Sequence, residues 1–435
     1  MKGITVRSLS PYLLLNRKFY MLLSLITPTH NPRYLGEAYN SLKYQKYKNW
    51  EWVIVPNGQA KVTSIPSEIT QDKRVRVVAG GESLHNVGAL KKFACDNARG
   101  EVFVEFDHDD LLMPGDSLSA VADCANKGAG FIYSDDAVFR QSSANRKNWG
   151  PKGKFSEFTY STMHGWESYP VKVFGRHLLA SRCFDISPRS LCQIYYCPDH
   201  LRAWTRKAYY NAGGHNPQLS VCDDHELMIK TYLTDAKFMH TGGCHYLYRM
   251  FASNTVVVRN QLIQKSTAEL KEKYISELVS AWLKHNNHDE FDLSSLGPNL
   301  DFDDTLEKGF GTNCHGHIIA DSELQKMTGA QVRKFMHAAY NALVPGGYLT
   351  VVVPDAMSGA GYMDPEWNTH FSKESMLPYI RRSSAKFNGK ISCRFQQVDV
   401  SEVYPSDYHR DRGLKFLKFT LCALHGQRQP SVQYI

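Results

Sequence analysis

Short apolar runs closed by turns, alternating with stretches of helical period, constrain this chain more than any other feature. Leu22-Leu23-Ser24-Leu25-Ile26-Thr27 ends in Pro28-Thr29-His30-Asn31-Pro32, and Trp50 to Val55 ends in Pro56-Asn57-Gly58. Each reads as a buried strand followed by a turn. Leu35 to Tyr44 has helical period between them. Arg74 to Val78 predicts a third strand, Asn86 to Ala98 a helix ended by Gly100, and Glu101 to Phe106 a fourth strand. Strands separated by helices of this length predict a parallel, doubly wound α/β sheet. Open sheets of this kind keep ligands at the carboxyl ends of their strands.

The fourth strand leads into Glu105-Phe106-Asp107-His108-Asp109-Asp110. Carboxylates packed this closely repel unless something positive sits among them. Mg2+ and Mn2+ suit hard oxygen ligands and usually bind through one or two carboxylates together with substrate phosphates. The run therefore reads as a site for a metal-bound phosphorylated ligand. The competing reading is an acidic cap, with Asp109 or Asp110 starting a helix that runs on through Pro114.

At 435 residues the chain has room for two or three domains, and 43% hydrophobic residues are ample for buried cores. Ten cysteines without CxxC pairs or ligand spacing predict reduced thiols, neither a disulfide framework nor a zinc site. No apolar run is long enough for a transmembrane segment. Lys2 and Arg7 before Tyr12-Leu13-Leu14-Leu15 imitate a signal peptide, but the apolar stretch is too short and no cleavage site follows. The expectation is a cytoplasmic protein with an N-terminal arm over 1–20. The formal net charge is +8, and all the excess precedes residue 291. That suits anionic nucleotides, glycans, lipids or nucleic acid and selects none of them.

Residues 263–290 predict a helical linker, with Ser266 and Glu269 as a capping box. From Gly316 the pattern runs strand, helix, the turn Leu343-Val344-Pro345-Gly346-Gly347, and a strand from Tyr348 to Val353. That is a second α/β unit, over 291–435.

Six segments in order make residues 21–262 resemble the GT-A glycosyltransferases of the inverting family 2 group. They are Thr27-Pro28-Thr29-His30-Asn31, Ser41-Leu42 through Gln45, Tyr47 and Trp50-Glu51, and Asn86-x-Gly88-x-x-Lys91 through Ala98-x-Gly100-Glu101. Asp107-His108-Asp109 is similar to the DxD signature, Cys222-Asp223-Asp224-His225-Glu226 to the acceptor-side ED motif, and Tyr246-x-Tyr248-Arg249 with Asn254-Thr255 to the closing segment. The resemblance implies a Rossmann-like, mostly parallel sheet and a nucleotide-sugar donor beside Pro28, Thr29, Asn31, Asn57, Lys91, Asp107 and His108. It implies Mn2+ or Mg2+ on Asp109 and Asp107, with His245 as a third ligand. It also implies Asp224 as the base that deprotonates a hydroxyl acceptor, with Asp223 beside it.

Each assignment has a plainer alternative. Asp223 and Asp224 read equally as the cap of a helix over Glu226–Leu233, His245 as a hydrogen-bonded structural residue, and Lys91 as a solvated helix lysine. His200, Arg202 and Trp204 lie where an acceptor would enter, and Tyr133-Ser134-Asp135-Asp136 resembles another family element beside the site. Family members often carry an acidic turn after the second strand. Pro56-Asn57-Gly58 departs from it, which leaves UDP, GDP and dTDP sugars open, since Asn57 both donates and accepts hydrogen bonds.

Ala342 to Leu349 and Asp364-Pro365 through His370-Phe371 resemble the second half of a class I methyltransferase-like fold. Glu290–Phe302 supplies no glycine-rich cofactor turn, so the expectation is a degenerate domain used for homo-oligomerisation, docking or acceptor positioning. The acceptor implied is a glycan or glycoconjugate. A modified DNA base and a non-catalytic binding module are the competing readings.

Overall fold

A computed structural model describes residues 20–140, 156–157, 166–193, 197–297, 301–381 and 391–426. The arm expected over 1–20 lies outside these, Tyr20 apart. The strands fall into two sheets. The first contains β1 (Leu23–Thr29), β2 (Trp50–Pro56), β3 (Val75–Val77), β4 (Val102–Glu105), β5 (Leu111–Leu112) and β6 (Phe131–Arg140). It continues with β7 (Ser156–Glu157), β8 (Ser168–Val173), β9 (Arg176–Ser181), β10 (Arg202–Thr205) and β11 (Phe238–Arg249). The second holds β12 (Glu290–Asp292), β13 (His315–Asp321), β14 (Leu343–Pro354), β15 (Phe395–Val403) and β16 (Phe416–Ala423). The longer helices are α1 (Leu35–Lys43), α2 (Val87–Asn97), α3 (Ser117–Asn126), α4 (Asp223–Leu233), α5 (Asn260–Asn286) and α6 (Gly329–Ala342).

The first sheet runs β3-β2-β1-β4-β10-β6-β11-β5. Its first four strands are parallel, as the alternation of strand and helix requires. Strand β10 then inserts antiparallel between β4 and β6. Every residue of β2 and β4 is buried, which is why both read as continuous apolar runs. Two glycines of the family-like segments explain themselves by close approach. A Cβ on Gly88 would lie 2.0 Å from the Asn216 carbonyl oxygen, and one on Gly100 would lie 2.5 Å from the Leu22 carbonyl. The first lets α2 dock on the loop before α4; the second lets β4 start beside β1.

One alternative reading and one expectation are overturned. No helix starts at Asp109 or Asp110, because Leu111-Leu112 form β5 against β11 and α3 begins after Asp116. Ser266 and Glu269 do not cap the linker. Helix α5 starts at Asn260, which places Ser266 inside it. Capping residues are tolerated mid-helix where tertiary packing holds the helix, here Leu270, Tyr274, Ile275, Leu278 and Trp282 in the core.

The second sheet has the order β12-β13-β14-β16-β15. Strands β12, β13 and β14 are parallel, whereas β16 is antiparallel to both neighbours. One face packs an apolar core with α6, through Ile318, Leu349, Val351, Phe419 and Phe335. The opposite face meets α5, where Trp282 packs on Tyr348 at 5.2 Å between ring centres. The first sheet's periphery reaches the same face: the backbone N–H of Arg189 donates to the Tyr348 hydroxyl at 3.1 Å.

Candidate active site

The carboxyl ends of β1, β2 and β4 form one edge. The Asn57 N–H donates to the Thr29 carbonyl at 2.9 Å, closing the β2 turn onto the end of β1, where Pro28 and Thr29 pair with Val55 and Pro56. Asn31 accepts the Arg33 N–H at 3.1 Å and starts the turn that leads to α1. Trp52 Nε1 donates to Thr27 Oγ1, which in turn donates to the Phe106 carbonyl and fixes where the acid run leaves β4. His30 and His108 meet edge to face at 4.9 Å above this edge.

Arg249 pins the acid run from behind. It is fully buried; its N–H donates to Asp110 Oδ1 at 2.7 Å, Nε donates to the Asp109 carbonyl, and Nη2 lies 2.9 Å from Glu37 Oε2. Asp107, Asp110 and His200 then lie close enough for one cation to touch all three. His200 stacks on Tyr246 at 4.6 Å, and its Nε2 is 3.6 Å from Asp107 Oδ2. Asp110 Oδ2 is buried with no hydrogen-bond partner among the described residues. Burial pushes Asp107 up to about 6, with Asp109 and Glu105 adding to the effect against Lys91. Burial, Asp109 and Asp107 likewise push Asp110 well above the usual carboxylate range. Burial and Arg202 hold His200 well below the ordinary histidine value, and a neutral imidazole is a competent ligand.

A second set of acids stands alongside with cations built in. Lys91 Nζ donates to Glu105 Oε1 at 3.0 Å and lies 3.7 Å from Asp223 Oδ2. Arg202 Nε donates to Glu105 Oε2 at 2.7 Å, and its Nη2 is 2.6 Å from Asp224 Oδ2. His215 Nδ1 is 2.9 Å from Asp223 Oδ2. Asp224 Oδ1 accepts the His225 N–H at 2.7 Å within the first turn of α4. Burial raises Glu105, but Arg202 and Lys91 outweigh it and bring it down to about 2. Burial opposes ionisation of Asp224 too, yet Arg202 and Lys91 hold it well below the usual carboxylate range.

The structure thus brings Asp107, Asp223, Asp224 and Lys91 into one neighbourhood. Lys91 is buried and paired with acids, unlike a solvated helix lysine. Asp109 stands half-buried in the run, outside the Asp107–Asp110–His200 group. His245 is outside that group as well; its Nδ1 lies 3.3 Å from Ser117 Oγ. Sequence reasoning gave His200 and Arg202 no role beyond lining the acceptor side, and it missed His215 altogether. Their partners Asp107 and Glu105 lie about a hundred residues away, and only the charged Arg202 inside a short apolar strand offered a signal.

Residues 24–184 match glycosyl transferase family 2. Among solved structures, S. aureus TarS 1-349 in complex with UDP-GlcNAc is similar at 14% identity, over 61% of this chain and 73% of that chain, with a TM-score of 0.41. The mannosyltransferase PcManGT from Pyrobaculum calidifontis, in complex with GDP-Man and Mn2+, is similar at 14% identity over 64% of this chain and 76% of that chain, with a TM-score of 0.36. No curated protein matches the chain. No helix among the described residues is long and apolar enough to cross a membrane.

Proposed function

We propose that the family 2 domain transfers a sugar, with inversion, from a nucleotide sugar to a hydroxyl acceptor on a glycan or glycoconjugate. The observation that carries this reading is the pairing of two acid groups at one sheet edge. One has no Lys or Arg ion-paired with it among the described residues and is pushed up by burial, and the other is held ionised by Arg202 and Lys91.

The residues fit a divalent cation: Asp107 with Asp109 or Asp110, beside His200, offers oxygen donors and one buried carboxylate oxygen without a hydrogen-bond partner among the described residues. When bound, Mn2+ or Mg2+ would neutralise charge gathering on the departing diphosphate. Pro28, Thr29, Asn31 and Asn57 form the wall against which the nucleoside would lie, and Asn57 offers both donor and acceptor to a base. His30 and His108 flank the mouth.

Asp224 is the proposed base. Inversion needs a carboxylate opposite the leaving group, aimed at the acceptor hydroxyl. Arg202 keeps that carboxylate ionised at neutral pH, while Asp223 is held by His215 and Lys91 as its support. The strong ion pair makes Asp224 a weak base in isolation, so the proposed step has the acceptor hydroxyl lose its proton late, as the new bond forms.

The region over 291–435 is proposed as a methyltransferase-like remnant that does not transfer methyl groups. Support comes from three parallel strands followed by an antiparallel pair, without a glycine-rich turn before them. The test of the whole reading is a donor screen with UDP, GDP and dTDP sugars and Mn2+. Turnover of one donor in wild type, abolished in Asp224→Asn while nucleotide binding persists, supports it. Unchanged turnover in Asp224→Asn rejects Asp224 as the base.

A further inference from the structure

Sheet faces that pack against a helix are ordinarily apolar, because the contact buries them. The second sheet obeys this on its α6 face and breaks it on its α5 face. Two rows of side chains cross that face in register. Ile319, Thr350, Thr420 and Asp399 make one; Asp321, Val352, Lys418 and Ser401 make the next. His317 precedes them on β13 and is locked at both ring nitrogens, with Nδ1 2.7 Å from Glu290 Oε2 and Nε2 2.9 Å from Thr350 Oγ1. Thr420 and Thr350 are buried.

On the amino-terminal side of Trp282, α5 does not close down on these rows. Ile275, Ser276, Val279 and Ser280 stand over them across a cavity of about 400 Å3, walled at one end by Tyr404 and Pro405. That volume falls in the range of small-molecule sites, roughly 300–1,000 Å3. Its charges are asymmetric. The Lys418 ammonium donates to the neutral Ser276 hydroxyl at 3.1 Å, and no carboxylate among the described residues pairs with it. Asp321 lies two strands away across Val352, about 10 Å at ordinary strand spacing. Asp321 is exposed at its end of the row, with Oδ1 accepting from Ser322.

We propose that this cavity binds a small anionic, polyhydroxylated molecule of the sugar-phosphate class. The anionic end lies at Lys418 and the Ser276 hydroxyl, where a cation has only a neutral partner. The hydroxyls lie along Thr350 and Thr420 toward Asp321, whose carboxylate accepts from them. A purely apolar ligand would cover the Lys418 ammonium and leave it only the neutral Ser276 hydroxyl, an unfavourable burial of charge. The site is separate from the acid run on the first sheet, and it stands on the helix whose neighbouring turn reaches α4: Tyr274 Oη lies 3.3 Å from Glu226 Oε1.

Hydrogen exchange on the full chain tests this, because it reports where a probe binds. Glucose 1-phosphate, glucose and inorganic phosphate are the three probes, each at millimolar concentration with a chelator present. The expected result is protection by glucose 1-phosphate of peptides over 272–282, 315–321 and 416–423. Glucose and phosphate alone give less protection, and the apparent affinity falls about tenfold or more in both Lys418→Met and Thr420→Val. A circular dichroism melt of each variant matching wild type shows that the fold is kept. Protection confined to the first sheet's peptides overturns the proposal. So does equal protection by glucose or by phosphate alone, or protection unchanged in a folded Lys418→Met.

Discussion

Two groups of carboxylates share the edge of the first sheet, and they are built on opposite electrostatic plans. Glu105, Asp223 and Asp224 come with Lys91, Arg202 and His215 packed among them, and Glu105 and Asp224 titrate below the ordinary carboxylate range as a result. Among the described residues no Lys or Arg is ion-paired with Asp107 or Asp110, and the more distant pull of Lys91 and Arg249 does not outweigh their burial. The nearby guanidinium of Arg249 is engaged with Glu37 and the Asp109 backbone, and both acids are pushed up. A buried acid group that carries its own counter-charge is finished as folded. One that does not is stable only as far as protons or an added cation neutralise it. The difference separates the acids that hold the site's shape from those left to take a ligand.

Removing the built-in cation breaks this comparison most severely. Arg202→Met strands Glu105 and Asp224 in the interior, and the expected loss is about 3–5 kcal/mol, read by urea denaturation. A loss under about 1 kcal/mol would show that Arg202 is not neutralising them. Asp107→Asn acts on the other group. It is expected to lower donor turnover by about 10²-fold, near 2.7 kcal/mol in transition-state stabilisation, while leaving the urea midpoint unchanged or higher. Equal damage to stability from both variants would erase the distinction.

Gly88→Ala probes the packing that brings Lys91 to the acids. Its Cβ would strike the Asn216 carbonyl, so α2 must shift, at an expected cost of about 1–3 kcal/mol in the same denaturation. The smallest effect is expected on the second sheet, at an exposed pair. Lys373 and Lys415 bring Glu402 down to about 2. Its contribution is therefore present above the unfolded carboxylate value and is lost as pH falls from there through about 2. Water screens the pair, so Glu402→Gln should cost no more than ~1 kcal/mol at pH 7 and only a small remainder of that at pH 2.

Much of the first sheet was legible because its signals are local. Strands β1, β2 and β4 are short apolar runs ended by Pro, Asn or acidic turns, and α1 and α2 lie between them as the period implies. The discarded cap and the misplaced helix start have local causes too. Asp109-Asp110 looks like a cap until β11 supplies a partner for Leu111-Leu112, and Ser266-x-x-Glu269 looks like a helix start until packing carries the helix back to Asn260. What stayed hidden depends on long-range pairing. Strand β10 enters between β4 and β6 from far along the chain, and it alone brings Arg202 between Glu105 and Asp224. Nothing near Arg202 in sequence announces either carboxylate.

The central claim is that the Asp107–Asp110 run waits for a cation from outside the chain. Thermal unfolding with UDP, GDP and dTDP, each in Mn2+ or in chelator, tests it on wild type and Asp107→Asn. The account predicts that at least one nucleotide raises the wild-type midpoint only when Mn2+ is present, and that Asp107→Asn loses that rise. A nucleotide that stabilises the protein equally in chelator, or an Asp107→Asn variant that keeps the full Mn2+-dependent rise, would contradict it.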